Sequence, residues 1–311
     1  MENNLVTLTT ELAGRFRLRK GVVMPDGSEK VTGGTEWFDN LITNRGMNAI
    51  GERASGFESI LVACQVGTGS ATPTFADTTL SNRIATTTTV QSTNSSIVVG
   101  PPRYGRRTIV FRFAQGAAAG NLTEVGISYE TTANGLLYSR ALIQDASGNP
   151  TVLTVLPTEF LDVEYETRLY IPTGDSTFNI LVGGTPTVVT GRVALNGSSN
   201  YWCSFIPRLA HNGFTALTQE LYSGGLGDES SYPSGKIGGI FQPTMAPYVP
   251  DSYYMDYVCS YGINDGNGNI RCVRQTTTMG AFQFEYDPPI PKDNTKTMTL
   301  RFRHSWARYS G

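Results

Sequence analysis

The chain has 311 residues, 39% of them hydrophobic and only 16% charged, with a formal charge of -2 at pH 7. So weak a net charge gives no field to gather nucleic acid or anionic lipid, which excludes polyanions as the expected partners. The length exceeds one typical domain, so two domains with a sizeable core are expected, and the sparse charge implies neutral surface that further copies or partner chains would cover.

Turn formers are abundant, with 34 Gly, and Tyr (15) with Phe (14) adds the aromatic share typical of strands. The first residues, MENNLVTLTTEL, carry neither a basic region nor a long apolar run, and no later segment nears the roughly 18 apolar residues of a membrane span. A soluble chain without membrane insertion is expected. Residues 1–36 read as an N-terminal strand or arm. From Trp37 to Ile50, Leu41, Ile42, Met47 and Ile50 approximate helical spacing and Gly51 could end the run, which predicts a helix. Gly67 and Gly69 then predict a tight turn.

Beyond that point the apolar runs alternate. Thr108–Phe113, Leu161–Ile171 and Met298–Trp306 are predicted strands, bounded by Gly, Asn, Asp and Pro clusters. Asn121 is expected to open a strand in which Leu122, Glu124 and Gly126 alternate with Thr123, Val125 and Ile127. Val125–Tyr129 and Leu136–Arg140 flank a Thr-Thr-Ala-Asn-Gly connection, an antiparallel hairpin signal, and Tyr257–Tyr261 with Ile270–Arg274 around Asn-Asp-Gly-Asn-Gly-Asn is a second. Each is followed by further alternating strands, so one β module could be carried twice. Glu124 either pairs with Arg140 and fixes register or faces solvent. Asp162, Glu164 and Glu166 share one strand face, solvated or matched by cations on neighbouring strands.

The composition shifts between about Pro172 and Pro250, where glycines and prolines accumulate and Asp228–Gly235 reads as an exposed loop. The expected architecture is therefore all-β: two antiparallel β-sandwich-like domains with a loop-rich middle segment and at most one or two short helices. The domains are expected at 37–174 and 175–311, the second being β-rich with long loops.

Catalytic groups are scarce. Only His211 and His304 could act as imidazole bases, no Gly-x-Ser-x-Gly is present, and His304 sits in an alternating run as a strand residue would. No enzyme activity is expected, and no catalytic, cofactor-binding or metal-ligating residue is assigned. Cys64, Cys203, Cys259 and Cys272 lack the close pairs of a zinc site. Cys259 and Cys272 could meet across the second predicted hairpin, or all could be buried thiols. Asp265-Gly-Asn-Gly-Asn lacks the distal Glu of a calcium loop and reads as a turn. The candidate interface is the aromatic segment Tyr248, Tyr253, Tyr254, Tyr257 and Tyr261, with core packing as the competing reading.

The ordered series LITNRGMNAIG, VGTGSATPTFADTTL, TIVFRF, NLTEVGISY, LLYSRAL and LDVEYETRLYI, over about residues 37–171, resembles a module of tail proteins of tailed bacteriophages. The resemblance implies a β-sandwich-like structural unit of the virion tail, assembled in the host cytoplasm: a baseplate, tail-tip or fibre-attachment adaptor. Its partners would be other tail proteins and further copies in three- or six-fold symmetry. The alternative it leaves open is a receptor-binding tail-fibre or tip protein that attaches to a host-surface glycan or protein.

Overall fold

The computed structural model describes residues 5–52, 60–131, 135–195, 217–277 and 279–311. Among these the elements are, in order, β1 (Val6–Val23), β2 (Glu29–Gly34), β3 (Phe38–Asp39), β4 (Leu41–Ile42), α1 (Asn44–Glu52), β5 (Ala63–Gly67), β6 (Arg83–Thr87), β7 (Val90–Val98), β8 (Tyr104–Phe113), β9 (Gly120–Leu122), β10 (Glu124–Ser128) and β11 (Leu137–Leu142). There follow β12 (Leu153–Val155), β13 (Phe160–Tyr170), β14 (Ser176–Val182), β15 (Thr185–Val193), β16 (Thr218–Tyr222), β17 (Lys236–Phe241), β18 (Thr244–Met245), β19 (Tyr254–Tyr261), β20 (Gly268–Thr277), β21 (Gly280–Lys292) and β22 (Met298–Arg308). The protein is all-β, with α1 the one helix among the described residues.

Two compact units partition the chain. The first comprises Leu12–Ser96, Arg106–Arg168 and Arg308–Gly311; the second comprises Met1–Glu11, Ile97–Gly105 and Leu169–Ala307. In the first unit one sheet runs β1-β13-β8-β7, with β2 and β3 also on β1, and another runs β4-β11-β10-β5-β6. The two face each other through aromatic side chains. Phe16 of β1 lies against Tyr165 of β13 with ring centroids 4.8 Å apart, and Tyr165 meets Tyr138 of β11 edge-on at 6.5 Å. In the second unit a sheet ordered β14-β15-β21-β20-β16-β17 faces β18-β19-β22. Phe284 of β21 stacks on Phe302 of β22 at 4.5 Å, and Phe282 meets His304 edge-on at 5.4 Å. Period-two alternation sends these rings to one face of each strand, and burying them against the opposite sheet supplies the cohesion of each unit.

Several local expectations are corrected. The helix predicted over Trp37–Ile50 is confined to Asn44–Glu52, because Phe38–Asp39 and Leu41–Ile42 pair with β1 and β11. Thr43 sets the start. Its Oγ accepts the Gly46 amide at 2.9 Å while donating to the Leu137 carbonyl at 2.7 Å, so the helix begins where its first free donors find a cap. The strand expected from Asn121 breaks at Thr123: Gly120–Leu122 pairs with β12, whereas Glu124–Ser128 lies between β11 and β5. The first hairpin forms, with Val125 opposite Ala141 and Ile127 opposite Ser139.

The second hairpin does not form. Tyr254–Tyr261 pairs with β22 and β18, while Gly268–Thr277 pairs with β21 and β16 in the other sheet. The Gly262–Asp265 stretch is a turn, closed by the Asp265 carboxylate accepting the Gly262 amide at 2.9 Å, but the chain leaves it for a different sheet. The suggested internal repeat rested on this hairpin and loses that support.

Candidate functional site

The most constrained cluster of polar groups surrounds Glu124, which is fully buried in the first unit. One carboxylate oxygen accepts the amides of Gly69 at 3.0 Å and Asn82 at 2.7 Å. The other accepts the Ser81 amide at 3.0 Å and two donors of Arg140, Nε at 3.2 Å and Nη2 at 2.9 Å. Arg140, itself 2% exposed, extends through Nη2 to the Ala71 carbonyl at 2.8 Å and the Ser81 hydroxyl at 2.7 Å, and through Nη1 to Asp77. A buried charge is tolerable only when paired and fully hydrogen-bonded, and both members here meet that condition. At Asp77, burial pushes the carboxyl pKa up, but the Thr74 and Arg140 hydrogen bonds outweigh it and hold the value below the ordinary range.

The sequence pairing of Glu124 with Arg140 is therefore present, and its geometry explains the glycines. A Cβ on Gly67 would sit 2.6 Å from the Glu124 carboxylate, and one on Gly69 would collide with the same oxygen and with Ser81. Close approach, not turn conformation, requires glycine at these positions. The cluster pins the loop of residues 68–82 across β10, whose residues are all buried. Sequence reasoning missed Asp77, Ser81 and Asn82; the dense Asp-Thr-Thr-Leu-Ser-Asn run was their only signal.

Asp162, Glu164 and Glu166 on β13 are matched by arginines of the neighbouring strands. Arg112 of β8 engages Asp162 through two contacts of 2.7 and 2.6 Å, and Arg17 of β1 engages Glu164 at 2.8 and 2.6 Å. Glu166 lies among Arg15 at 2.9 Å, Arg168 at 2.7 Å and Arg106 at 3.4 Å. Burial raises the Glu166 pKa, and Arg15 and Arg168 more than reverse that, so the carboxyl is held low. Trp37 adds its ring beneath the guanidinium groups of Arg15 and Arg17 at 4.3 and 4.8 Å. This row fixes the register of three strands and leaves its carboxylates committed to arginines.

The predicted interface tyrosines separate. Tyr257 and Tyr261 are each 1% exposed and belong to the core of the second unit; the Tyr261 hydroxyl donates to Gln219. Tyr248, Tyr253 and Tyr254 are half-buried. Tyr248 stacks on Trp306 with centroids 5.8 Å apart, and the Arg303 guanidinium lies 3.5 Å above the Tyr254 ring while pairing with Asp256. Tyr253 adopts a left-handed backbone, φ 51°, and its carbonyl accepts the Trp306 amide at 2.9 Å.

His304 lies buried between Thr10 Oγ, 3.1 Å from Nε2, and Thr277 Oγ, 2.9 Å from Nδ1. Burial lowers its pKa to about 3, so it is a neutral strut at neutral pH. His211 and Cys203 lie outside the described residues. Cys64, Cys259 and Cys272 are buried free thiols, the last two in different sheets. Among the described residues no three His, Cys, Asp or Glu side chains converge as metal ligands.

The second unit also contains an open cavity of about 480 Å³, walled by Ile97, Val98, Ile171 and Leu195. Its polar side is Arg103, which pairs with Glu229 at 2.6 and 2.7 Å, beside Asp228. These partners lie 126 residues apart in the chain, and no local signal could have joined them. Neither a family model nor a solved structure matches the chain.

Proposed function

We propose that this protein is a structural component of a bacteriophage tail, at the baseplate, the tail tip or the fibre attachment, and that it works by assembly with other tail proteins and further copies of itself. The observation that carries the reading is the role of the residues through which the sequence resembles tail modules. Gly67, Gly69, Glu124 and Arg140 lock one loop onto one sheet, and the LDVEYETRLYI strand holds its carboxylates in arginine pairs. These residues define shape and leave little free chemistry, as a building block requires.

The half-buried Tyr248, Tyr253 and Tyr254 favour a second reading, a receptor-binding tip that meets a host-surface glycan or protein. Immunogold labelling of intact particles against a tag on this chain tests the first reading: gold at one fixed tail level supports it, and particles without gold overturn it. Purified chain that adheres to susceptible cells and blocks infection would instead favour the second.

A further inference from the structure

We propose that the cavity of the second unit is a binding site for a small amphipathic amine, which sets its ammonium group at Asp228 and its aliphatic body against Ile171 and Leu195. The lining is drawn from four stretches of chain, around Val98, Ile171, Leu195 and Asp228, and all four belong to the one unit. Its volume of about 480 Å³ is that of a small-molecule site, and its make-up, apolar walls with a few fixed polar groups, is that of one too.

The cavity has an apolar floor and an acidic mouth. Ile171 and Leu195 are 4% and 6% exposed, whereas Asp228 is exposed. A molecule with an aliphatic body gains by leaving water at the floor, and a charged head at the mouth keeps part of its hydration. The mouth is held in shape from beneath. Gln283, fully buried, accepts the Gly227 amide at 2.9 Å and donates to the carbonyls of Asp228 at 3.2 Å and Ser231 at 3.1 Å. The Leu195 amide donates to the Glu229 carbonyl at 2.6 Å, which ties the floor to the same loop. Backbone fixed in this way presents the Asp228 side chain without an ordering cost at the moment of binding.

Charge decides the class of ligand. Arg103 is engaged by both oxygens of Glu229, at 2.6 and 2.7 Å, and by the Pro172 carbonyl at 2.5 Å, so this pair contributes no net charge. Arg192, on the neighbouring β15, is likewise held by both oxygens of Asp175 at 2.7 Å. Among the described residues the Asp228 carboxylate has no hydrogen-bond or ion-pair partner of its own, and it leaves the lining with one negative charge. A cation is attracted there and a carboxylate repelled. The order of the groups selects further: an amine with a trailing apolar body fits, whereas a lysine side chain would have to carry its ammonium inward, past the carboxylate and onto the apolar floor. The site goes beyond the tail reading and is independent of it, since amine binding and virion location can each fail alone.

The test is saturation-transfer NMR on the full chain, titrated with n-hexylamine, n-hexanol and hexanoate. The amine should bind saturably and roughly threefold more tightly than the alcohol, the worth of one solvent-exposed ion pair, and hexanoate should bind more weakly still. Asp228→Asn should bring n-hexylamine down to the level of n-hexanol and leave n-hexanol unchanged. Val98→Trp, which fills the cavity, should abolish binding of all three, and an unchanged urea midpoint would verify that each variant is folded. Nα-acetyl-lysine methylamide should not displace n-hexylamine. Absence of saturable n-hexylamine binding, a preference for the amine that survives Asp228→Asn, binding that survives Val98→Trp, or displacement by the lysine derivative would each overturn the proposal.

Discussion

Replacing Glu124 with Gln keeps the shape of the side chain and removes its charge from a site with no exposure. The amide oxygen can still accept from Gly69 and Asn82, but the amide nitrogen then faces the Ser81 amide and the Arg140 guanidinium, donor against donor. Removing one partner of a buried ion pair costs about 3 to 5 kcal/mol. The lower end applies here, about 3 kcal/mol, because Asp77 still neutralises Arg140 from the other side. For a chain of 311 residues that corresponds to a fall of roughly 5 °C in the unfolding midpoint. Urea unfolding followed by tryptophan fluorescence, with Arg140→Gln and the double variant closing a thermodynamic cycle, reads the coupling directly. A loss below about 1 kcal/mol would mean the carboxylate is dispensable and the argument for a locking cluster is wrong.

Further outcomes follow from the same geometry. His304 has a folded pKa of about 3 against an ordinary 6.5, so its contribution to stability is present above the unfolded value and is lost as pH falls toward 3. The chain should be about 2 kcal/mol less stable at pH 5 than at pH 7 from this group alone, and His304→Gln should flatten that slope in urea titrations at the two pH values. Gly69→Ala should cost about 1 to 3 kcal/mol by overpacking against Glu124 and Ser81, whereas Gly100→Ala, which has open space around it, should leave the midpoint unmoved. Burial pushes the Cys272 thiol up to about 12 and also raises those of Cys64 and Cys259, so these three should resist a thiol reagent in the folded chain. All four cysteines should titrate after denaturation without reductant, and a count two short would reveal a disulfide.

Strands with a clean period of two, such as Thr108–Phe113, Leu161–Ile171 and Met298–Trp306, were legible because apolar residues fill one buried face and mostly polar ones the other. Glu124 with Arg140 was legible because the hairpin between them is local. β10 was harder: both of its faces are buried, so alternation carries no information about its edges. The second hairpin misled because turn residues permit a reversal without choosing the partner strand. Tyr254–Tyr261 pairs with Met298–Arg308, far along the chain, where Leu300 and Phe302 supply a better-matched apolar face. The division into units was likewise hidden, since Met1–Glu11 and Ile97–Gly105 complete a unit formed mainly by Leu169–Ala307. Of the aromatic segment, only burial could separate the core Tyr257 and Tyr261 from the half-buried Tyr248, Tyr253 and Tyr254.

The claim of assembly is tested most directly by a symmetric cryo-electron reconstruction of particles carrying a tag on this chain. The account predicts density for its all-β fold at one level of the tail, in three or six copies. Complete, infectious particles whose tails contain no such density would contradict it.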